Sequence, residues 1–340
     1  MEGITIGLDL AKHVFQVHGV DDAGGVILRR RLRRSEVLAF FERLPSSLVG
    51  MEACAGAHYW AHQLKALGHE VRLMPPSYVK PYVKRGKNDA ADAEAICEAV
   101  TRPTMRFVPV KSAEQQSVLM LHRTRDLLIR QRTMLANAFR AHLAEFGIVA
   151  AQGLSNLTTL AAIANNHGDH RIPPLARSCL IAIIGQLADL QARINEIDRS
   201  ILVWHRANEA SRRLQTIPGI GPITASAIAA TISDPTLFSS GRHLAAWFGL
   251  VPRQRSSGGK ERLGRISKQG DPYIRRLLVV GAHSVLRYAR GKNASSKPWL
   301  VALIARRPYK VAAVALANKM ARIAWAILAK GDVYQRPVAA

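Results

Sequence analysis

Four acidic residues stand out in a chain that has 48 Lys and Arg residues against 24 Asp and Glu residues. Asp9 and Glu52 each end a short apolar run, and Asp89 and Asp92 lie three residues apart where a helix is predicted to begin. Two carboxylates held about 4 Å apart repel each other by roughly 4 kcal/mol at an effective dielectric of about 20, unless a cation lies between them. If the helix packs near the ends of the two strands, the four side chains could hold two Mg²⁺ ions, the arrangement that breaks and joins phosphodiesters.

Each acid also has a plainer interpretation. Asp9 could be a turn residue, Glu52 a salt-bridge partner, and Asp89 and Asp92 helix caps. For any one residue alone this interpretation is the better one, but all four in strand–strand–helix order favour a metal site.

Two histidines could form a different metal site. His58 and His62 lie four residues apart on a predicted helix, but no third ligand has the right spacing.

The charge of the chain indicates a polyanionic partner. The net charge is +24, and five arginines lie between Arg29 and Arg34. Residues 241–310 contain sixteen Lys or Arg residues and only two acids, Glu261 and Asp271. Such a basic strip can neutralise many phosphates, and its binding should weaken steeply with salt.

Cysteine content and hydropathy indicate the compartment. The three cysteines are far apart and odd in number, which suits the reducing cytosol and excludes a disulfide framework or a four-cysteine zinc site. We find no signal peptide and no apolar run near the roughly 20 residues that span a bilayer. A cytoplasmic protein without membrane contact is predicted.

The elements predict an α/β domain followed by all-α domains. Strands alternate with helices up to residue 110, which predicts a mixed sheet. Long helices follow, and their seam from Ile183 to Ile201 alternates four and three residues, as in a coiled coil. Self-association through this seam is favoured slightly over packing on a helix of the same chain. The predicted domains are 1–110, 111–210 and 211–332.

The segment Ile217–Ala225 matches a helix–hairpin–helix pattern. Gly219 and Gly221 would expose backbone N–H groups at a helix N-terminus, where a phosphate can dock. A plain helical turn is the alternative.

A basic segment, predicted as a loop over 250–270, contains Ser256, Ser257 and Ser267. A serine hydroxyl is a poor nucleophile unless it is activated, and cations can stabilise charge that develops on phosphorus. On spacing alone, a phosphate-binding loop with incidental serines is the better interpretation. The candidate nucleic-acid contacts in this segment are Arg253, Arg255, Lys260, Arg262, Arg265 and Lys268.

Taken together, these motifs resemble a known family. The segments 7–12, 51–53, 87–93, 217–225 and 249–270 resemble the Asp-Glu-Asp-Asp (DEDD) insertion-sequence transposases, which include the Piv-type DNA invertases and the bridge-RNA-guided recombinases. The resemblance covers nearly the whole chain in order.

This resemblance implies a RuvC-like, ribonuclease H-like N-terminal domain in which Asp9, Glu52, Asp89 and Asp92 bind Mg²⁺. It also implies a helical C-terminal domain whose serine nucleophile forms a covalent phosphoserine link to DNA. By register from Gly249 that serine is Ser257, although Ser256 adjoins it and Ser267 is a weaker candidate.

The resemblance further implies partners and an activity. The partners are DNA, at the element ends and the target, and a non-coding guide RNA. The protein would be a homodimer that forms a tetramer in the synaptic complex. The predicted activity is transposition of an insertion sequence. The alternatives are a RuvC-like junction resolvase that hydrolyses DNA with metal-bound water, and a non-catalytic nucleic-acid-binding protein.

Overall fold

The computed structural model describes residues 3–84, 88–153, 155–288 and 298–335. Lys87 of the predicted acidic motif lies outside the described residues. Residue contacts divide the chain into two compact units, Met1–Ser112 and Ala113–Ala340, which we call the N-terminal and C-terminal units. The predicted boundary between residues 210 and 211 remains a prediction.

The N-terminal unit is built on one five-stranded mixed sheet with strand order β3-β2-β1-β4-β5. Strands β1, β2 and β3 are antiparallel neighbours, whereas β1, β4 and β5 run parallel. The predicted mixed α/β class is confirmed and fits a ribonuclease H-like domain. The elements are β1 (Thr5–Asp9), β2 (Val14–Val20), β3 (Val26–Arg33), α1 (Val37–Glu42), β4 (Leu48–Glu52), α2 (Ala57–Ala66), β5 (Glu70–Met74), α3 (Pro76–Val79) and α4 (Asp89–Val100).

The two faces of the sheet are covered differently. Alternate strand residues such as Leu8, Phe15 and Met51 are buried in one apolar cluster with residues of α1 and α2. The opposite face meets α4, which packs on β1, β2 and β4. The alternation of a strand places Gly7 and Gly50 on this second face.

Helix α4 approaches the sheet so closely that only glycine fits beneath it. A Cβ placed on Gly7 would lie 2.1 Å from the backbone oxygen of Ala93 and 2.4 Å from the backbone nitrogen of Cys97. A Cβ on Gly50 would lie 2.8 Å from Cβ of Val100. The absence of side chains at Gly7 and Gly50 therefore determines how closely α4 packs on the sheet.

The two edges of the sheet are protected by different means. At the β5 edge, the backbone N–H of Val108 donates to the backbone oxygen of Leu73 at 2.7 Å. At the other edge, β3 carries exposed Arg29, Arg30 and Arg31.

The first helix of this unit, α1, is short and follows directly on a 3₁₀ turn. Residues 34–36 form a 3₁₀ turn, and α1 begins at Val37. The Glu36 carboxylate stabilises the start of this turn by accepting from the backbone N–H of Arg33 at 2.7 Å.

The C-terminal unit is almost entirely helical. Its helices are α5 (Ala113–Ala144), α6 (Ser155–Asn165), α7 (Pro174–Ala207), α8 (Glu209–Gln215), α9 (Pro222–Thr231), α10 (Gly241–Trp247), α11 (Pro272–Tyr288), α12 (Pro298–Arg306) and α13 (Tyr309–Lys330), with strands β6 (Pro252–Gln254) and β7 (Leu263–Ile266).

The two longest helices, α5 and α7, pack on each other within the chain. Ile194 and Ile201 of the predicted seam are buried, and the Arg125 guanidinium donates to the Asp198 carboxylate between the helices. The same-chain alternative therefore accounts for part of the seam, and the coiled-coil and dimer assignments remain predictions.

Helices α7 and α13 are long and apolar enough to cross a membrane by length and composition alone. Core helices pass the same test, and α13 contributes Ala313, Ala317, Met320 and Ala324 to the buried core of its unit.

His122 ties three helices of the C-terminal unit together. Its Nδ1 lies 3.0 Å from the Tyr273 hydroxyl of α11, and its Nε2 lies 3.1 Å from the Ser226 hydroxyl of α9. The Ser226 proton goes to the backbone oxygen of Pro222 at 2.7 Å, so Ser226 accepts from Nε2–H and Nδ1 accepts from Tyr273. Burial, followed by the charge of Arg125, lowers the pKa of His122 to about 4.

Replacing Gly7 by alanine should destabilise the N-terminal unit by roughly 1–3 kcal/mol, because α4 must lift from the sheet. Urea denaturation would measure the loss. The matched control is Gly185→Ala on α7, where an added Cβ meets nothing within 4 Å; it should be neutral or slightly stabilising. Wild-type stability of the Gly7→Ala protein would contradict this packing.

The C-terminal unit should lose stability as pH falls from about 6.5 towards 4. In this pH range His122 becomes protonated in the unfolded chain but stays neutral in the folded chain. The free energy of unfolding therefore falls by about 3 kcal/mol between pH 6.5 and pH 4. Urea titrations across pH would show it. His122→Gln should flatten this pH dependence, whereas His167→Gln in an exposed loop should retain it; equal slopes in both variants would refute the assignment.

Candidate active site

Three of the four predicted acids converge on the face that α4 covers. A carboxylate oxygen from each of Asp9, Asp89 and Asp92 lies within 4.8 Å of the other two. Asp9 is the last residue of β1, two residues after Gly7, so it points to the same face. Asp89 and Asp92 occupy the first turn of α4. The close seating of the helix thus brings its first turn to the end of the strand.

Glu52 is the last residue of β4, beside Asp9 on the neighbouring parallel strand, where Leu8 is paired with Met51. Partial desolvation raises the pKa of the Cys54 thiol, and the Glu52 and Asp9 carboxylates raise it further. Both carboxylates are therefore close to Cys54. Glu52 lies beside these three acids, but its carboxylate oxygens do not lie within 4.8 Å of all of them.

The start of α4 suits two adjacent acids. Asn88 caps the helix, its side-chain oxygen accepting from the backbone N–H of Ala91 at 2.8 Å. The positive end of the helix dipole stabilises the carboxylates of the first turn. Three carboxylates with oxygen donors this close fit a hard divalent cation such as Mg²⁺ or Mn²⁺ and do not fit a soft metal.

The two histidines considered as metal ligands anchor the end of the N-terminal unit. His58 Nδ1 accepts from the backbone N–H of Lys111 at 3.3 Å, and His62 Nε2 lies 2.8 Å from the Lys111 carbonyl oxygen. Both rings therefore have structural partners, and neither belongs to a metal-binding group among the described residues.

The predicted serine loop is wrong in one respect, because it contains a β-hairpin. Strands β6 and β7 pair antiparallel, and the backbone N–H of Lys260 donates to the Ser257 oxygen at 3.1 Å. Gly258 and Gly259 both have positive φ, 55° and 76°. Two left-handed residues make the type I′ turn that joins twisted strands, and glycine adopts it without strain.

The three candidate serines have different surroundings. The Ser256 hydroxyl accepts from the backbone N–H of Arg262 at 3.2 Å, which fastens the two strands together. Ser257 lies exposed at the turn, and its hydroxyl makes no hydrogen bond within the described part of the chain. Ser267 is half-buried at the base of the hairpin, where its N–H donates to the Val251 oxygen at 2.8 Å.

All six predicted basic contacts of this segment are exposed. The guanidinium of Arg253 also donates to the Ser267 oxygen at 3.1 Å, so part of its hydrogen-bonding capacity stabilises the hairpin. The exposed residues are Arg253, Arg255, Lys260, Arg262, Arg265 and Lys268. Their assignment to nucleic acid remains a prediction.

The segment with the helix–hairpin–helix pattern joins α8 to α9 through a tight turn. Gly219 has φ 89°, and its oxygen would lie 2.0 Å from a Cβ on Gly281, so the turn packs directly on α11. Gly221 precedes Pro222, the first residue of α9. This packing explains Gly219 without DNA, and phosphate binding at Gly219 and Gly221 remains a prediction.

The sequence contains one signal for the sheet face covered by α4 and one for the β6–β7 hairpin, and neither was used in the predictions. Each strand acid follows a glycine by two residues, as Gly7 precedes Asp9 and Gly50 precedes Glu52, which marks a face closed by a helix. The Gly258-Gly259 pair between basic segments is a hairpin signal.

Comparison with known proteins bears on the identity of the chain. Residues 211–297 match the family described as Transposase IS116/IS110/IS902, and residues 6–148 match the DEDD transposase domain of the same IS110 group. A probable family 20 transposase of Pseudomonas aeruginosa is 51% identical over 97% of this chain and 98% of its own. The chain belongs to the IS110 family of insertion-sequence transposases. It is therefore a DNA transposase, an enzyme of recombination.

Two further relatives of the transposase have names that state an element. The transposase for insertion sequence element IS1328 of Yersinia enterocolitica is 40% identical over 99% of this chain and 100% of its own. That for IS1111A of Coxiella burnetii is 40% identical over 97% and 91%. The four acids fall within the matched DEDD domain, which indicates use of a divalent metal, and the serine hairpin falls within the other matched segment.

The transposase should bind Mn²⁺ or Mg²⁺ without nucleic acid, and Asp92→Asn should weaken this binding by more than the ~10–100-fold that loss of an outer-shell partner costs. Isothermal titration calorimetry would measure it. Glu98→Gln, which removes a carboxylate from the same helix outside the cluster, is the control. Equal affinity of the Asp92→Asn protein would exclude this residue as a ligand.

Proposed function

We propose that this transposase excises and inserts its own element by Mg²⁺-dependent DNA strand exchange, with Ser257 as nucleophile and a non-coding RNA as guide. The observation that carries the proposal is the convergence of Asp9, Asp89 and Asp92 at the end of a central strand in a domain of the DEDD family.

Asp9, Glu52, Asp89 and Asp92 are proposed to hold the metal. Bound there, Mg²⁺ supplies stabilisation of negative charge on the phosphodiester oxygens. The contribution of the chain itself is positional: two acids are fixed at strand ends and two in a capped helical turn, so little reorganisation is needed for them to act together.

Ser257 is proposed to attack the scissile phosphate of the DNA. A bond forms between Oγ and phosphorus while one bridging P–O bond breaks, and the hydroxyl proton is released as the leaving oxygen of the DNA gains one. The number of phosphoester bonds is unchanged, so rejoining needs no high-energy cofactor. The exposure of Ser257 at a hairpin turn supports it as the nucleophile. Ser256 is the weaker candidate, because its hydroxyl already accepts a structural hydrogen bond from the backbone N–H of Arg262.

The proposed partners are DNA at the element ends and target, and a guide RNA transcribed from the element. The net charge of +24 and the exposed basic hairpin support polyanion binding. We further propose a cytoplasmic protein that forms homodimers, and tetramers in the synaptic complex, in keeping with the family resemblance. The RuvC-like and helix–hairpin–helix assignments belong to the same proposal.

Ser257→Ala should abolish the covalent protein–DNA adduct and lower strand exchange by about 10³-fold or more, because the nucleophile is lost. Labelled DNA sites incubated with protein, RNA and Mg²⁺, then resolved on denaturing gels, would reveal the adduct. Ser256→Ala is the matched control and should keep adduct formation. Full recombination by the Ser257→Ala protein would remove this residue from the mechanism.

The same assay separates the alternatives. Asp9→Asn and Glu52→Gln should also abolish strand exchange while RNA binding stays intact. Free DNA ends without an adduct in the wild type would instead identify a junction resolvase. An absence of cleavage with Mg²⁺, the element's RNA and both DNA sites would identify a non-catalytic binder.

A further inference from the structure

A large groove in the C-terminal unit combines an apolar floor with a cationic rim. Its volume is about 1870 Å³, above the roughly 300–1,000 Å³ of typical small-molecule pockets. Helices α10, α12 and α13 and the β6–β7 hairpin contribute to its walls. The lining has no acidic side chain among the described residues, and its six cations are Arg242, Arg265, Lys268, Lys310, Lys319 and Arg322.

Aromatic and aliphatic side chains form the floor between these cations. The Trp299 side chain is 39% exposed, and Lys319 Nζ lies 4.1 Å from the centroid of its ring. The Trp325 indole N–H donates to the Phe238 oxygen at 3.1 Å, which holds that ring in place. Val311 and Val314 complete an apolar surface of the kind on which flat rings stack.

We propose that this groove binds an unpaired polynucleotide strand. Six cations without a counter-ion among the lining residues favour a polyanion, and an exposed indole favours a ligand with ring faces to bury. The base faces of a duplex are already stacked on one another, so a duplex would gain little from the apolar floor. The proposal adds a binding site to the transposase and does not depend on the serine chemistry or on metal.

The groove adjoins the hairpin that carries Ser257, because three residues of β7 lie in the groove wall: Leu263, Arg265 and Ile266. A strand in the groove would therefore pass close to the base of that hairpin. DNA opened during recombination and an unpaired segment of RNA share the chemistry that the groove recognises.

The test is fluorescence anisotropy in the presence of EDTA, so that failure of the metal or serine proposals cannot affect it. The probes are an oligothymidylate and an oligouridylate of about 12 nucleotides, within the range of ~4–16 nucleotides that single-strand sites cover, and a duplex of equal length. Tighter binding of one single-stranded probe identifies DNA or RNA as the source.

Trp299→Ala should weaken single-strand binding about 5- to 150-fold, the loss expected for one stacked base, and change duplex binding less than about 2-fold. Trp299→Phe should restore most of the affinity, because a ring returns. An unchanged single-strand affinity, or equal losses for single strand and duplex, would overturn the proposal.

The rim gives a second measurement that does not depend on the floor. Lys310 and Arg322 are both exposed. For single strands, Lys310→Gln and Arg322→Gln should each make the negative slope of log affinity against log salt shallower by about 0.7. Lys330→Gln, also exposed and on the same helix outside the groove, is the control and should leave the slope unchanged. Equal slopes in all three variants would refute phosphate contact at the rim.

Discussion

The seating of α4 on the sheet is the contact on which the acidic site depends. Gly7 and Gly50 leave no room for even a methyl group beneath the helix. Asp9 follows Gly7 by two residues and shares its face, and Asp89 precedes Ala93, the residue above Gly7, by one helical turn. A single backbone-to-backbone contact therefore aligns a strand end with a helix start, and any displacement of the helix would move two carboxylates away from the third.

Local structure was largely predictable from the sequence, and convergence was not. The apolar runs before Asp9 and Glu52 and the start of a helix at Asp89 were visible because strands and helices have distinct periods and end signals. The residue that caps this helix is Asn88, and not Asp89 or Asp92 as the plainer interpretation had it. The distance from Asp9 to Asp89 depends on how a helix eighty positions away packs, which no local pattern encodes. The hairpin around Ser257 was missed because its strands are short, basic and exposed, without the alternation that marks a half-buried strand.

The clustered acids and the exposed cations belong to different kinds of binding site. Of the three clustered acids, Asp9 lies at the end of a strand, and Asp89 and Asp92 lie in the first turn of a helix, where the helix dipole stabilises them. The cations of the hairpin and groove lie on exposed surfaces of the C-terminal unit. A long polyanion can neutralise the exposed charges, whereas only a small cation fits among the carboxylates. The size of the counter-ion thus distinguishes the two kinds of site.

The arginines of β3 have a consequence for how copies of the protein can meet. An open strand is a template for hydrogen bonding by another chain, and proteins guard against this with charge. Strand β3 would have to place Arg29, Arg30 and Arg31 beside the same residues of a second molecule, while Val108 already occupies the opposite border. Growth of the sheet from molecule to molecule is therefore disfavoured at both margins, by charge along β3 and by the Leu73–Val108 bridge at β5.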